Sequence, residues 1–177
     1  MLLNKWRWLW LIPAALIFIL SKVATAIRLN RYFDNIGIRL SELQNWKLYL
    51  IGMFYNLFLP GGIGGDGYKV YLLNKQFKTS VKKLVQAALL DRLGGLVAIV
   101  FLLFGLFLIV DIQLDFLESQ VWNGLMIAGL FGTIPAFWLA QKILFKDFLP
   151  SFWSANGWSF AGQVAQLICA WFILRSL

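Results

Sequence analysis

The sequence predicts an all-α integral membrane protein with about four transmembrane helices and one re-entrant segment that is broken by glycines. Of the 177 residues, 60% are hydrophobic and only 14% are charged, and the mean hydropathy is +0.74. A soluble domain of this size could not cover its surface with so few charged side chains. Most of the nine tryptophans lie near the ends of apolar runs, which is typical of the aromatic belts at the two membrane surfaces.

Four apolar runs are long enough to cross about 30 Å of hydrocarbon at roughly 1.5 Å per residue. The runs cover residues 8–26, 84–110, 121–140 and 158–174. The first run follows Lys5 and Arg7, a charge pattern that a signal peptide shares. It contains Pro13, is rather long and is closed by no Ala-x-Ala site, so we expect a retained helix instead.

A fifth apolar segment, residues 48–63, is too short to be an ordinary crossing and has basic residues on both sides. These are Lys22, Arg28, Arg31, Arg39 and Lys47 in the expected loop before it, and Lys69, Lys75, Lys78, Lys82 and Lys83 after it. Because basic residues favour the cytoplasmic side, a spanning segment would leave one flank on the wrong side. We therefore expect a re-entrant segment that dips into the membrane and returns to the cytoplasmic face.

The re-entrant segment runs into residues 56–69, which contain five glycines, a proline and Asp66. We expect regular helical hydrogen bonding to be interrupted there and a new helix to begin near Tyr68. Each unsatisfied backbone group in hydrocarbon costs several kcal/mol, so the break should be buried or should line a polar cavity. A substrate path, whose backbone N–H groups would bind a lipid phosphate, and a packing hinge both fit this expectation.

The charges of the loops set the expected orientation. The loop after residue 110 contains Asp111, Asp115 and Glu118 but no basic residue, so we expect it outside. Lys142 and Lys146 should then lie inside. The amino terminus is expected outside, where its two basic residues are a mild violation of the positive-inside rule.

Asp91 and Arg92 lie inside the second apolar run, about two turns from its basic end. Charged residues in a spanning helix are costly and usually face a partner or water. Adjacent positions point about 100° apart, so each residue needs its own partner, and Asp66 is the candidate for Arg92. Interfacial placement, with Arg92 extending to the head groups, is the alternative. For Asp66 itself, a helix-capping role competes with a substrate role.

Two further patterns indicate contacts between helices, and the second of them also has a functional interpretation. Gly94 and Gly95 would let another helix approach closely, which packing alone explains. Gln163 and Gln166 share one face of the last run at a spacing of three residues. Their amides indicate either hydrogen bonding between helices or the wall of a cavity.

Several classes of function are excluded by composition. The chain has no histidine and one cysteine, Cys169, which leaves no intramolecular disulfide, histidine-metal site or Ser-His catalytic pair. The net charge of +8 resides in short loops between apolar runs, so we expect no nucleic-acid partner. Residues 62–67 spell G-x-G-x-x-G, but no βαβ unit surrounds them. We therefore expect no enzyme, no catalytic residue, no metal and no cofactor.

The motifs of the re-entrant segment and the second run occur together in a familiar order. Phe54-Tyr-Asn56, Leu59-Pro-Gly, Gly64-Gly-Asp66 and Lys69, followed by Leu90-Asp-Arg-Leu-Gly94, resemble the lysylphosphatidylglycerol synthetase transmembrane-domain family, also called flippase-like domain proteins. The resemblance implies a multi-pass protein of a bacterial or archaeal cytoplasmic membrane that moves a lipid between leaflets. That lipid is an aminoacylated phosphatidylglycerol in the best-known members, and a glycolipid or polyprenyl-linked sugar in others.

The chain departs from the family in two respects. Lys69 stands where members usually have arginine, so bidentate phosphate binding would be lost there. Family domains also run to nearly twice this length. We therefore expect residues 1–177 to form a single, incomplete flippase-like domain that lacks a leading helix and the rear half.

The predicted function is binding or translocation of an anionic phospholipid or a lipid-linked sugar. The alternative is a non-transporting membrane subunit, or degenerate half-domain, that needs another membrane protein or a second copy as its partner. An enzyme acting on lipid is the weakest hypothesis, because grouped carboxylates and histidine are lacking. The candidate substrate-binding residues are Asn56, Pro60, Gly61, Gly64, Gly65, Asp66, Lys69, Asp91 and Arg92.

Overall fold

The computed structural model describes residues 7–58, 64–110 and 119–177, and every regular element in this part of the chain is helical. The helices are α1 Leu11–Asn35, α2 Glu42–Phe58, α3 Gly64–Phe77, α4 Val81–Val110, α5 Ser119–Leu144 and α6 Phe152–Ser176. Short 3-10 turns precede α1, at Arg7–Trp10, and α6, at Lys146–Ser151.

Four helical stretches are long and apolar enough to cross a membrane. They are Arg7–Asn35, Val81–Val110, Gln120–Leu144 and Lys146–Ser176. These correspond to the four apolar runs of the sequence, each extended by several residues. The predicted class, an all-α membrane protein with about four spanning helices, is confirmed.

α1 is longer than the apolar run that predicted it, and the expected loop after residue 26 is wrong. Lys22, Arg28 and Arg31 lie on the helix, because no glycine or proline interrupts it before Gly37. The helix ends in a Schellman motif, in which Gly37 has a φ of 80°. The amide of Ile38 donates to the carbonyl of Phe33 at 3.1 Å, and that of Gly37 donates to Asp34 at 3.2 Å.

α1 and α6 pack antiparallel along most of their length through small residues. Gly162 of α6 lies over Ser21 and Ala24 of α1, where an added Cβ would already make van der Waals contact. At the other end of the pair, the Cys169 thiol donates to the Ala14 carbonyl at 3.3 Å. Close approach of backbones through small residues is the usual basis of helix association in membranes. Cys169 is therefore a small packed residue of this helix contact.

α4 is the central helix, since α1, α3, α5 and α6 all contact it. Gly94 and Gly95 make this possible. A Cβ at Gly94 would lie 3.1 Å from Ser159 Oγ of α6, and a Cβ at Gly95 would lie 3.2 Å from a guanidinium nitrogen of Arg28. The predicted close packing at this glycine pair is confirmed.

α2 and α3 form an antiparallel helical hairpin. α2 begins with a capping box, in which Ser41 and Gln44 exchange hydrogen bonds of 3.1 and 3.3 Å. Near the other end of α2, Gly52 faces Gly65 of α3 so closely that a Cβ on Gly65 would overlap the Gly52 carbonyl. Asn56 also accepts a hydrogen bond from the Gly65 amide at 2.8 Å.

The break between α2 and α3 is shorter than the sequence indicated. The new helix was expected near Tyr68, but α3 begins at Gly64, so Gly65 and Gly67 are helical. Gly65 serves close contact with α2 rather than loss of helical geometry. The candidates Pro60 and Gly61 lie outside the described residues.

Gly65→Ala should lower the midpoint of thermal denaturation in detergent, because the added methyl group would push α2 and α3 apart. Overpacking of a tight contact costs roughly 1–3 kcal/mol. Gly67→Ala is the matched control, since a Cβ there meets nothing within 4 Å. We expect this control to be neutral or slightly stabilising, as alanine favours helix. Equal midpoints for Gly65→Ala and the unmodified protein would contradict the hairpin contact.

Candidate functional site

Charged side chains from α1, α3 and α4 meet beside α2 in what we call the polar centre. Its members are Arg28, Tyr49, Asp66, Lys69, Asp91 and Arg92. Two ion-paired groups make up the centre, one around Asp66 and one around Asp91. Asp91 and Arg92 are consecutive residues of α4, so the two groups adjoin one another.

Asp66, in the first turn of α3, holds the first group together. Its Oδ2 accepts a hydrogen bond from Arg92 Nε of α4 at 2.7 Å, and its Oδ1 accepts one from Lys69 Nζ at 3.1 Å. The predicted pair between Asp66 and Arg92 is present. The Asp66 side chain is 17% exposed, whereas that of Arg92 is 47% exposed. The guanidinium is therefore the charge that this group presents to its surroundings.

Lys69 is enclosed by the helical hairpin. Its side chain is only 7% exposed, and its ammonium lies 5.1 Å from the centre of the Tyr49 ring. The aliphatic part of the Lys69 side chain fills the space beside Gly52. A Cβ on residue 52 would collide with it. The ammonium of Lys69, a candidate substrate-binding residue, is held between α2 and α3, where it adds to the positive charge of the polar centre.

Arg28 and Asp91 form the second group, which is nearly enclosed. Arg28 Nε donates to Asp91 Oδ1 at 2.7 Å, and Arg28 Nη1 donates to Ser159 Oγ of α6 at 3.1 Å. Their side chains are 6% and 14% exposed. The pair thus joins α1 to α4 and reaches α6. In a membrane such a pair satisfies two charges that would otherwise be very costly.

Sequence reasoning missed Arg28, because it assigned this residue to a loop. The available signal was the uninterrupted chain between Pro13 and Gly37, which contains no helix breaker. Continuing α1 through this stretch places Ser21, Arg28 and Tyr32 on one face, and the structure buries all three.

An apolar groove opens beside the Asp66–Arg92 pair. We call it the α3–α4 groove; its volume is about 290 Å³. Asp66, Gly67, Val70, Val85, Ala88, Leu89 and Arg92 line it. Asp66 and Arg92 border this groove, but its exposed wall is almost entirely hydrocarbon, which suits the acyl chains of an amphiphile rather than a sugar or a free ion.

The other candidate residues on α2 and α3, which are Asn56, Gly64 and Gly65, lie near the end of α2 and the start of α3. Gly64 is the first residue of α3, and Asn56 is bonded to the amide of Gly65. Because the Gly65 N–H already has this acceptor, it is not an open donor for an anion. Asn56 therefore satisfies a backbone amide at the start of α3.

Gln163 and Gln166 line a second cavity of about 220 Å³, which we call the α4–α6 groove. Ile99, Leu102, Leu103, Leu106 and Leu167 complete its wall. Gln163 Nε2 also donates to the Gly95 carbonyl of α4 at 3.4 Å. Both interpretations of these amides therefore apply. Gln163 forms a hydrogen bond between two helices, and both residues line a cavity.

Four membrane-length helices, a broken helical hairpin and a polar centre beside an apolar groove define a multi-pass membrane protein of the flippase-like class. The chain belongs to the family described as the lysylphosphatidylglycerol synthase TM region, which matches residues 1–148 of 177. The match includes the whole polar centre and ends before α6. No curated protein and no solved structure matches the sequence.

Asp91→Leu should destabilise the protein by about 3–5 kcal/mol, because Arg28 would remain buried without a carboxylate. The double variant Arg28→Met/Asp91→Leu should recover most of this loss, since no unpaired charge is left. Titration with sodium dodecyl sulfate in mixed micelles, followed by tryptophan fluorescence, measures both effects.

The control for this experiment is Asp34→Leu, which removes an exposed partner of Arg31 at 3.6 Å. Exposed ion pairs contribute at most about 1 kcal/mol, so this variant should change little. If the single variant Asp91→Leu and the double variant were equally unstable, the Arg28–Asp91 pair would not be the cause.

Proposed function

We propose that this protein binds the phosphate-bearing head group of an anionic phospholipid at the Asp66–Arg92 pair and carries the lipid between the two leaflets. The observation that carries the proposal is the position of Arg92, which is half-exposed, is paired with Asp66 and borders an apolar groove. Family membership supports a lipid as the ligand, because the family is described as the transmembrane region of a phospholipid-modifying synthase.

The charge balance of the polar centre favours an anion. Arg28, Lys69 and Arg92 are cationic, whereas Asp66 and Asp91 are the only carboxylates among its described members. One positive charge is thus in excess in a region of low dielectric constant, where a single charge acts strongly. A phosphate diester supplies one negative charge, and its oxygens accept hydrogen bonds from guanidinium groups well.

The depth of the pair favours a lipid that has left the head-group layer. Arg92 lies eleven residues after Val81, the first residue of α4, which corresponds to about 16 Å along the helix. Lys82 and Lys83 mark the basic end of the helix, at the expected cytoplasmic surface. A head group at Arg92 would therefore lie well inside the hydrocarbon layer.

A non-transporting role is the second candidate, in which the polar centre only holds helices together for a partner chain. The near-complete enclosure of the Arg28–Asp91 pair favours it, since this pair joins α1, α4 and α6 and is not part of the groove lining. The two candidates differ in what they require of Arg92, which is half-exposed and lies in the groove.

Arg92→Gln should lower phosphatidylglycerol translocation in proteoliposomes at least about tenfold, the effect of losing one hydrogen bond to a charged group. The assay uses phosphatidylglycerol with a fluorophore on an acyl chain, close to the head group. Dithionite reduces the fluorophore of every lipid that it can reach, and the loss of fluorescence reports translocation. Arg92→Lys should retain part of the activity, because it keeps the charge but not the planar donor geometry.

Arg31→Gln is the matched control for Arg92→Gln, because it removes the same charge from a surface position paired with Asp34 and Glu42. It should translocate like the unmodified protein. Unchanged translocation by Arg92→Gln would remove the head-group role. No translocation by the unmodified protein would favour the non-transporting candidate.

Ala88→Phe should block the α3–α4 groove without touching the ion pair, because Ala88 lies in its apolar wall. We expect translocation to fall and the melting temperature to stay within a few degrees of its original value. Ala140→Phe is the control, since Ala140 is exposed on α5 and outside this groove. Equal translocation by the two variants would show that the lipid does not use this groove.

A further inference from the structure

The two grooves lie on one face of α4. Val85, Ala88, Leu89 and Arg92 line the α3–α4 groove, and Ile99, Leu102, Leu103 and Leu106 line the α4–α6 groove. Each residue of the second set follows its counterpart in the first by fourteen positions. Fourteen residues make nearly four helical turns, so the sets are aligned along the helix about 21 Å apart.

The α4–α6 groove repeats the chemistry of the α3–α4 groove in a milder form. Both have a wall that is mostly hydrocarbon and polar side chains at the edge, which come from α3 and α4 in the first groove and from α6 in the second. In the α3–α4 groove the polar edge is the Asp66–Arg92 pair. In the α4–α6 groove the polar edge is the pair of amides, Gln163 and Gln166.

Gln166 has no partner for its amide among the described residues. Gln163 bonds to Gly95, but no hydrogen bond of the Gln166 side chain is formed within residues 7–58, 64–110 and 119–177. Gln166 lies between Trp158 and Trp171, hence in the central part of the apolar helix. An amide that meets only hydrocarbon is unfavourable, so this position calls for a polar group that enters the groove.

We infer that the α4–α6 groove is a second station on the lipid path and that Gln166 binds the phosphate or glycerol oxygens of a phospholipid head group there. This inference rests on the function proposed above. The shared face of α4 provides a continuous apolar surface, which includes the exposed Leu96 between the grooves, for the acyl chains.

The polar edge is charged in the α3–α4 groove and neutral in the α4–α6 groove. This difference suits a lipid that must be released again after it has bound. A second arginine in the α4–α6 groove would cost more to bury and would hold an anionic head group more tightly. The amide of Gln166 offers two donors and no net charge. Passage through successive sites requires that each site binds well enough to admit the ligand and weakly enough to release it.

A photoactivatable phosphatidylglycerol, with a diazirine next to the head group, tests the inference in nanodiscs. Mass spectrometry of the labelled protein should find label on residues 85–92 and on the peptides of the α4–α6 groove. Gln166→Leu should lower label in the α4–α6 groove several-fold, because the hydrogen bonds are lost, and should leave label on 85–92 unchanged. Gln76→Leu, at an exposed position of α3, is the composition control and should change neither site.

The same variants separate this inference from the proposed function. Arg92→Gln should reduce label on residues 85–92, whereas Gln166→Leu should reduce only the second site and slow translocation about tenfold. Label on 85–92 without label in the α4–α6 groove above the level on α5 would overturn the second station alone. Absence of label from both grooves would overturn the proposed function as well.

A second copy of the chain is the competing occupant of the α4–α6 groove. Gln166→Cys in a Cys169→Ser background would form a disulfide-linked dimer if a copy were seated there. Such a dimer, formed in nanodiscs that hold two copies, would overturn the second lipid station. A monomer that resists oxidation and still takes up label would support it.

Discussion

The pairing of two adjacent charges on α4 with two different helices is the interaction on which the arrangement depends. Asp91 and Arg92 point about 100° apart, so a single partner cannot serve both. Asp91 pairs with Arg28 of α1, and Arg92 pairs with Asp66 of α3. Because unpaired charges are so costly away from water, these two contacts hold α1 and the α2–α3 hairpin on two sides of α4.

The glycines give the charged side chains room to meet. Gly95 leaves space for the Arg28 guanidinium, and Gly52 leaves space for the Lys69 stem. Gly65 lets α3 approach α2 until their backbones touch, which positions Asp66 opposite Arg92. Small residues at helix contacts and charged residues at the polar centre are thus two parts of one arrangement, since ion pairs of 2.7 Å require close helices.

The two ion-paired groups have different surroundings and hence different roles. The Arg28–Asp91 pair is enclosed by three helices and holds them together. The Asp66–Arg92 pair borders an apolar groove, and its arginine is half-exposed. One local sequence, Leu90-Asp-Arg-Leu-Gly94, therefore contributes a structural charge and an accessible charge through consecutive residues.

The sequence by itself determined the class of protein and the four spanning helices, and it gave Asp66 as the candidate partner of Arg92. Hydropathy indicates which segments avoid water, and a charged residue inside such a segment indicates that a partner lies nearby. The tertiary structure alone decided that Arg28 belongs to the polar centre, that Lys69 is enclosed and that α3 begins at Gly64. These depend on which helices approach which, because a partner 63 residues away along the chain leaves no periodic signal near Asp91.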